Sequence, residues 1–152
     1  MAIHELFPYI CVHDAKAAVA FYCEVFQVKE IFRLVEPSGR VGHVELDFHN
    51  GAILMISDEY PEYGIPSAKT LGGSAVTLHL HVDDADAVVA RAVAAGATLE
   101  MPTEDRFYGE RSGVFRDPFG HRWNVGDSIE KLSPEEMQRR YTAMFENGSG
   151  AC

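Results

Sequence analysis

Apolar and polar positions change period several times along this chain, and each change marks an element. Phe7 to His13 is short and mostly apolar, as a buried strand is. Asp14 then stands where a carboxylate caps free backbone amides of a first helical turn. After it the period becomes helical, with Ala15, Ala18, Val19, Tyr22 and Phe26 on one face. Three further strands are predicted, from Lys29 to Val35, Val41 to Phe48 and Ala52 to Ser57. The turns between them are EPSGR and HNG.

The same order returns 70 residues later. Val12 to Glu30 aligns without a gap on Val82 to Glu100, with identities that include Asp14/Asp84, Val19/Val89 and Glu30/Glu100. A strand is predicted from Thr77 to Asp83, and then a helix with Ala85, Val88, Val89, Ala92 and Gly96 on one face. Strands follow over Thr98 to Met101 with a ragged extension, Gly113 to Arg116 and His121 to Gly126. Gly96 suits a left-handed helix end. Gly51 and Gly120, offset by 69, open the last strand of each copy. The chain therefore reads as an α+β protein with two βαβββ units, residues 5–57 and 75–129, in one domain. Between them, residues 58–74 contain two Pro, three Gly and two Tyr without a usable period. They read as a connector with room for a lid. A last helix is predicted over 133–147. Ser133 caps it, Pro134 takes its first position and Glu136 closes a capping box. Met137, Tyr141, Met144 and Phe145 form an apolar stripe for the domain's own core or for a second subunit.

Composition narrows the function classes. With 152 residues and 47% hydrophobic content, one domain with a real core is expected. The net charge of -10 and the lack of a basic run argue against nucleic acid and anionic membranes as partners. Cys11, Cys23 and Cys152 make an odd set without a CxxC pair, so neither a disulfide framework nor a zinc knuckle is expected. No leader-like N-terminus and no apolar run of about 18 residues is seen, so a cytoplasmic protein is expected.

The repeat, the DPFGH turn and the order strand, Asp, helix ending in Phe21-Tyr22 resemble the vicinal oxygen chelate superfamily, the group of glyoxalase I, bleomycin-resistance proteins and extradiol dioxygenases. The stretches FPYICVHDAKAAVAFY, LHLHVDDADAVVARAVAAGA, FYGERSGVFRDPFGHRW and SPEEMQRR are similar to its PhnB-like branch. The resemblance implies two half-barrels around an open cleft. It also implies four metal ligands, one from the first and one from the last strand of each unit. Carried over by spacing, those positions are Phe7, Met55, Thr77 and Asn124. Phe offers no lone pair, Met is a soft thioether, and Thr and Asn are weak neutral donors, so no metal or other cofactor is expected there.

Strand parity extends the cleft from those four positions. Tyr9 and Cys11 share a face with Phe7, Ile53 with Met55, His79 and His81 with Thr77, and Arg122 with Asn124. Phe107, Tyr108 and Arg111 are placed at one end, the aromatics as a cover and Arg111 either orienting an acidic group or in a salt bridge. For Arg116 a salt bridge with Glu110, Asp105 or Asp117 is expected, and Asp117 is expected to fix the turn before Gly120. The first function expected is binding of a small aromatic or planar organic molecule in a metal-free cleft, by a homodimer. The acidic composition favours a cationic ligand. The alternative is a metal-dependent lyase, isomerase or epimerase of glyoxalase type. Its displaced Zn, Ni, Mn or Fe would be held by His79, His81 and a third ligand, Glu45 foremost with Asp47 or His49 as substitutes. A third reading is metal-free acid–base catalysis by His79 with Tyr9 or Glu45.

Overall fold

The structure is a computed structural model and describes residues 1–148; Cys152 lies outside the described residues. Strand β1 (Tyr9–Val12) leads into helix α1 (Ala15–Phe26), and then come β2 (Lys29–Val35), β3 (Val41–Asp47) and β4 (Ile53–Asp58). After a single 3-10 turn (Pro61–Tyr63) and a one-turn helix α2 (Ala68–Leu71), the order repeats. It runs β5 (Thr77–His81), α3 (Ala85–Ala94), β6 (Thr98–Asp105), β7 (Glu110–Arg116) and β8 (Arg122–Ser128). Helix α4 (Pro134–Glu146) ends the described chain. The two units form two four-stranded sheets of the same topology, β1-β4-β3-β2 and β5-β8-β7-β6. In each, the first strand runs parallel to the last and the other pairs are antiparallel.

The duplication extends to the caps and turns. Asp14 and Asp84 accept the amides of Ala17 and Ala87 at 3.0 and 2.9 Å. Asp58 and Asp127, offset by 69, do the same for Ala15 and Ala85 at 2.7 and 2.9 Å, locking each helix start to the last strand of its unit. The copy also runs through the hairpin turn between the second and third strands of each unit. Gly39 and Gly109 both have positive φ and donate to Glu36 O and Arg106 O, so RFYGE is the counterpart of EPSGR.

Several strand limits differ from the sequence reading. Strand β1 begins at Tyr9, not Phe7, because Pro8 has no amide to donate; its carbonyl still accepts Met55 N at 3.0 Å. Strand β6 runs past Met101 to Asp105 through Pro102, which is tolerated because β6 is an edge strand. Strand β7 starts at Glu110, since the hairpin turn ends at Gly109. The connector is not structureless: Ser67 caps α2, and Glu59 accepts Ser67 N and the Thr70 hydroxyl.

The core lies between the helices and the helix-side faces of both sheets. Tyr22 and Val25 of α1, Leu46 and Ile56 of the first sheet, and Phe115, Trp123 and Val125 of the second are buried there. Helix α1 joins the units. Phe26 packs on Trp123 with ring centroids 4.6 Å apart, and Arg91 Nε of α3 donates to Val25 O at 3.0 Å. With Val44, Leu46, Leu54 and Ile56 of the first sheet and Phe115, Trp123 and Val125 of the second turned inward, the alternate residues of those strands are left on the opposite, concave side. That side carries the candidate chemistry. Among the described residues, no helix is long and apolar enough to cross a membrane.

Candidate functional site

In each unit the implied first-strand position lies two residues before the ladder partner of the implied last-strand position: Met55 pairs with Tyr9 and Asn124 with His79. Phe7 precedes Pro8, whose carbonyl bonds Met55 N, so Phe7 and Met55 sit at one strand junction. Thr77 pairs with Arg122 and His79 with Asn124 in the β5–β8 ladder. Arg122 Nη1 donates to Thr77 Oγ1 at 2.9 Å, and its Nε binds Glu100 at 2.8 Å. The donor set does not fit a divalent ion: it offers an aromatic ring, a thioether, an engaged hydroxyl and an amide. No step is derived through a metal at these positions.

Asn124 faces a cavity of about 360 Å³. Its floor is Asn124, Ser112 and Val114, and its walls are Met101, Phe107, Tyr108, Arg106, Asp105, Arg122 and Met144 of α4. It takes no residue from the first sheet. Asn124 Oδ1 is buried without a hydrogen-bond partner. Phe107 and Tyr108 are T-shaped at 5.1 Å, the Tyr108 hydroxyl bonds Ser112 Oγ at 2.9 Å, and Phe107 stacks on Tyr141 at 5.4 Å. The hairpin turn and α4 thus hold an aromatic wall over the sheet. The charged groups are two Arg and one Asp, so the acidity of the whole chain does not extend into this cavity. The apolar stripe of α4 covers no core: no residue of α4 is buried, and Met144 lines the cavity.

Glu45 is not the carboxylate beside His79. It belongs to a cluster on the first sheet, where His43 Nε2 lies 3.1 Å from Glu45 Oε1 and His43 Nδ1 lies 3.0 Å from the Tyr9 hydroxyl. Tyr9 stacks on His43 at 5.4 Å, and Phe32 lies over the same imidazole at 5.5 Å. Within one chain Tyr9 and Glu45 are thus engaged with His43, on the sheet that does not carry His79. Asp47 and His49 belong to the first unit as well, at the β3–β4 turn, where Asp47 accepts His49 N.

The carboxylate beside His79 comes from Glu110 of β7, which the sequence offers only as a salt-bridge partner of Arg116. His81 Nε2 lies 2.5 Å from Glu110 Oε1, and His79 Nε2 lies 3.4 Å from Oε2. Oε2 is buried and makes no hydrogen bond, so its approach to His79 is close but not aligned. His79, Leu6, Pro8, Ile53 and Leu78 also line a cavity of about 190 Å³ between β5 and the start of β4.

The remaining candidates take structural positions. Arg111 alternates with Ser112 and Val114 on β7 and shares the face of the buried Phe115. Its guanidinium binds Asp86 at 2.7 Å and Asp105 at 3.0 Å, away from the cavity floor. The Arg116 partner is Glu100 at 2.7 Å, not Glu110, Asp105 or Asp117. The Cys11 thiol turns toward Asp58 O and Ile65 O. Burial pushes its pKa up and a Ser57 hydrogen bond opposes this, while Glu59 and Asp58 add to the rise. Such a thiol is a poor nucleophile.

Comparison with known proteins agrees with this architecture. An uncharacterized protein of Mycobacterium bovis is 38% identical over 148 residues, 95% of each chain. A solved gene product of Arabidopsis thaliana is similar at 31% identity and a TM-score of 0.67, over 82% of this chain and 99% of that one. TioX from Micromonospora sp. ML1 is similar at 26% identity and a TM-score of 0.64, over 83% of this chain and 99% of that one. The family model described as Glyoxalase/Bleomycin resistance protein/Dioxygenase superfamily matches residues 2–125, and the chain belongs to that superfamily.

Proposed function

We propose that this protein binds a small planar organic molecule in the cavity over Asn124, without a metal at the four positions that the superfamily resemblance implies. The observation that carries this reading is Asn124 Oδ1, a buried acceptor with no partner, on the floor of a cavity walled by Phe107, Tyr108 and Met101. A buried polar atom without a partner costs about 1–3 kcal/mol, and a ligand donor removes that penalty. Aromatic and thioether walls favour a flat ligand, which stacks on them.

The cavity is walled on one side only, and the concave face of the first sheet carries exposed apolar groups in Tyr9, Phe32 and Leu34. A second copy related by a two-fold axis sets the first sheet of each chain opposite the second sheet of the other. The result is two equal clefts and a self-complementary interface. The protein then acts as a homodimer.

The reading is tested with 1-anilinonaphthalene-8-sulfonate, a planar fluorescent probe, and by native mass spectrometry for a molecule carried through purification. One probe per chain is expected, with affinity reduced about fivefold or more in Asn124→Ala and in Phe107→Ala. Unchanged affinity in both variants would place binding elsewhere and end the proposal.

A further inference from the structure

The geometry points to a second site: His79, His81 and Glu110 hold a divalent transition metal, zinc by donor type, in an open three-ligand site on the concave side of the second sheet. The site is separate from the four positions implied by family resemblance and does not depend on the reading of the Asn124 cavity.

His79 and His81 are two residues apart on β5, so both imidazoles project from one side of the sheet, with centroids 5.1 Å apart. Glu110 belongs to β7, and β8 runs between the two strands. It reaches the imidazoles because the residue it crosses is Gly126. A Cβ there would lie 2.6 Å from Glu110 Oε2. The missing side chain is what brings a carboxylate from two strands away to the histidine pair.

An ordinary ion pair needs one imidazole and one carboxylate oxygen. Here both Nε2 atoms approach opposite oxygens of one carboxylate, and Oε2 is buried without a hydrogen bond. One ligand atom from each of the three residues lies within 4.8 Å of the others. Zinc takes imidazole nitrogen and carboxylate oxygen at about 2.0–2.2 Å, which sets ligand atoms about 3.3 Å apart. The His79 contact is already near that separation, and His81 needs only to swing outward. Its side chain is 64% exposed and free to do so. Two imidazoles and one carboxylate leave a coordination position for water or a ligand oxygen on the solvent side.

The test uses tag-free full-length protein, freed of metal with a chelator and titrated with zinc chloride in a calorimeter. Cobalt(II) absorption provides an independent readout of coordination. One zinc per chain is expected, with affinity at least about tenfold weaker in His79→Ala, His81→Ala and Glu110→Gln. Gly126→Ala keeps all three ligands but displaces the carboxylate, and it should weaken zinc to a similar degree. Asn124→Ala and Glu45→Gln should bind zinc like the parent protein. Sub-stoichiometric uptake overturns the proposal. So does uptake that survives in His79→Ala and Glu110→Gln, or that is lost in Asn124→Ala while kept in His79→Ala.

Discussion

The hydroxyl of Tyr22 donates a 2.6 Å hydrogen bond to Asp117 Oδ2, joining the first helix of one repeat to the last turn of the other. Asp117 is buried, and the same oxygen accepts Trp123 Nε1 at 2.8 Å. Its Oδ1 accepts the amides of Phe119 and His121, both at 2.9 Å. One carboxylate therefore serves four donors and fixes both the DPFGH turn and the seam between units. Burial pushes the Tyr22 phenol well above its ordinary pKa, and the Asp117 charge and hydrogen bond add to that. Tyr22→Phe removes one charge-assisted bond and is expected to cost about 1.5–3 kcal/mol in denaturant unfolding. Asp117→Ala strands four donors and should cost more, about 3 kcal/mol at the least. Equal values for the two variants would mean that the turn is held by something else.

Gly109 ends the turn that carries Phe107 and Tyr108. Its φ is +87°, and a Cβ would lie 2.4 Å from Glu130 O. Both the left-handed backbone and the contact oppose any side chain. Gly109→Ala is expected to destabilise by about 2 kcal/mol or more. Because Glu130 precedes α4, the same variant should weaken the fluorescent probe. Thermal unfolding and probe titration on one sample check both.

Helix α4 rests on the cavity without a buried residue of its own. It is held by the Phe107–Tyr141 stack and by Arg140, which pairs with Glu130 at 2.7 Å and donates to Phe107 O at 3.3 Å. A chain ending at Leu132 should keep its sheets, judged by circular dichroism, and lose probe affinity about fivefold or more as Met144 and the support of Phe107 go.

How much of this was legible in the sequence depended on the kind of signal. The repeat could be read because Asp14 and Asp84 cap helices with matching apolar faces, a local pattern that a period reveals. The face of His79 and His81 followed from alternation on one strand. Glu110 could not be found this way. Its approach to the histidines depends on the order β5-β8-β7 and on an absent side chain at Gly126, and neither has a period. Glu45 shares its strand face with Asp47 and His49 but belongs to the other unit, and nothing local says which sheet faces which. One missed signal was available: Glu36-Pro-Ser-Gly39 against Arg106-Phe-Tyr-Gly109 at the same offset of 70. Extending the repeat through that turn starts β7 at Glu110 and turns Arg111 to the helix side.

The pH behaviour of α4 follows from its arginines. Hydrogen bonds from Arg139 and Arg140 pull the Glu136 carboxyl down to about 2, and Arg140 also lowers Glu130. The folded value lies below the unfolded one of about 4.3, so the stabilisation is fully present above that pH and fades as pH falls toward 2. The group is exposed, so the effect on global stability is small. Carboxyl carbon-13 NMR should show Glu136 titrating near 2, and Arg140→Gln should move it up toward the ordinary glutamate value. An ordinary midpoint in the parent protein contradicts the paired geometry.

The last prediction concerns the uncovered face of the first sheet. Phe32 is 42%, Leu34 59% and Tyr9 54% exposed, around the partly buried His43–Glu45 pair. Adjacent exposed groups of this size on one sheet face are unusual for a monomer and fit an interface. If a second copy covers them, light scattering on the eluting protein gives twice the 16.8 kDa chain mass. Leu34→Arg places a charge in that interface without touching the core and should yield monomer with unchanged circular dichroism. Since each cleft then loses its far wall, the same variant should weaken the probe although Leu34 is on the sheet opposite Asn124. A monomeric parent protein, or a Leu34→Arg dimer with intact binding, would show that each chain closes its own site.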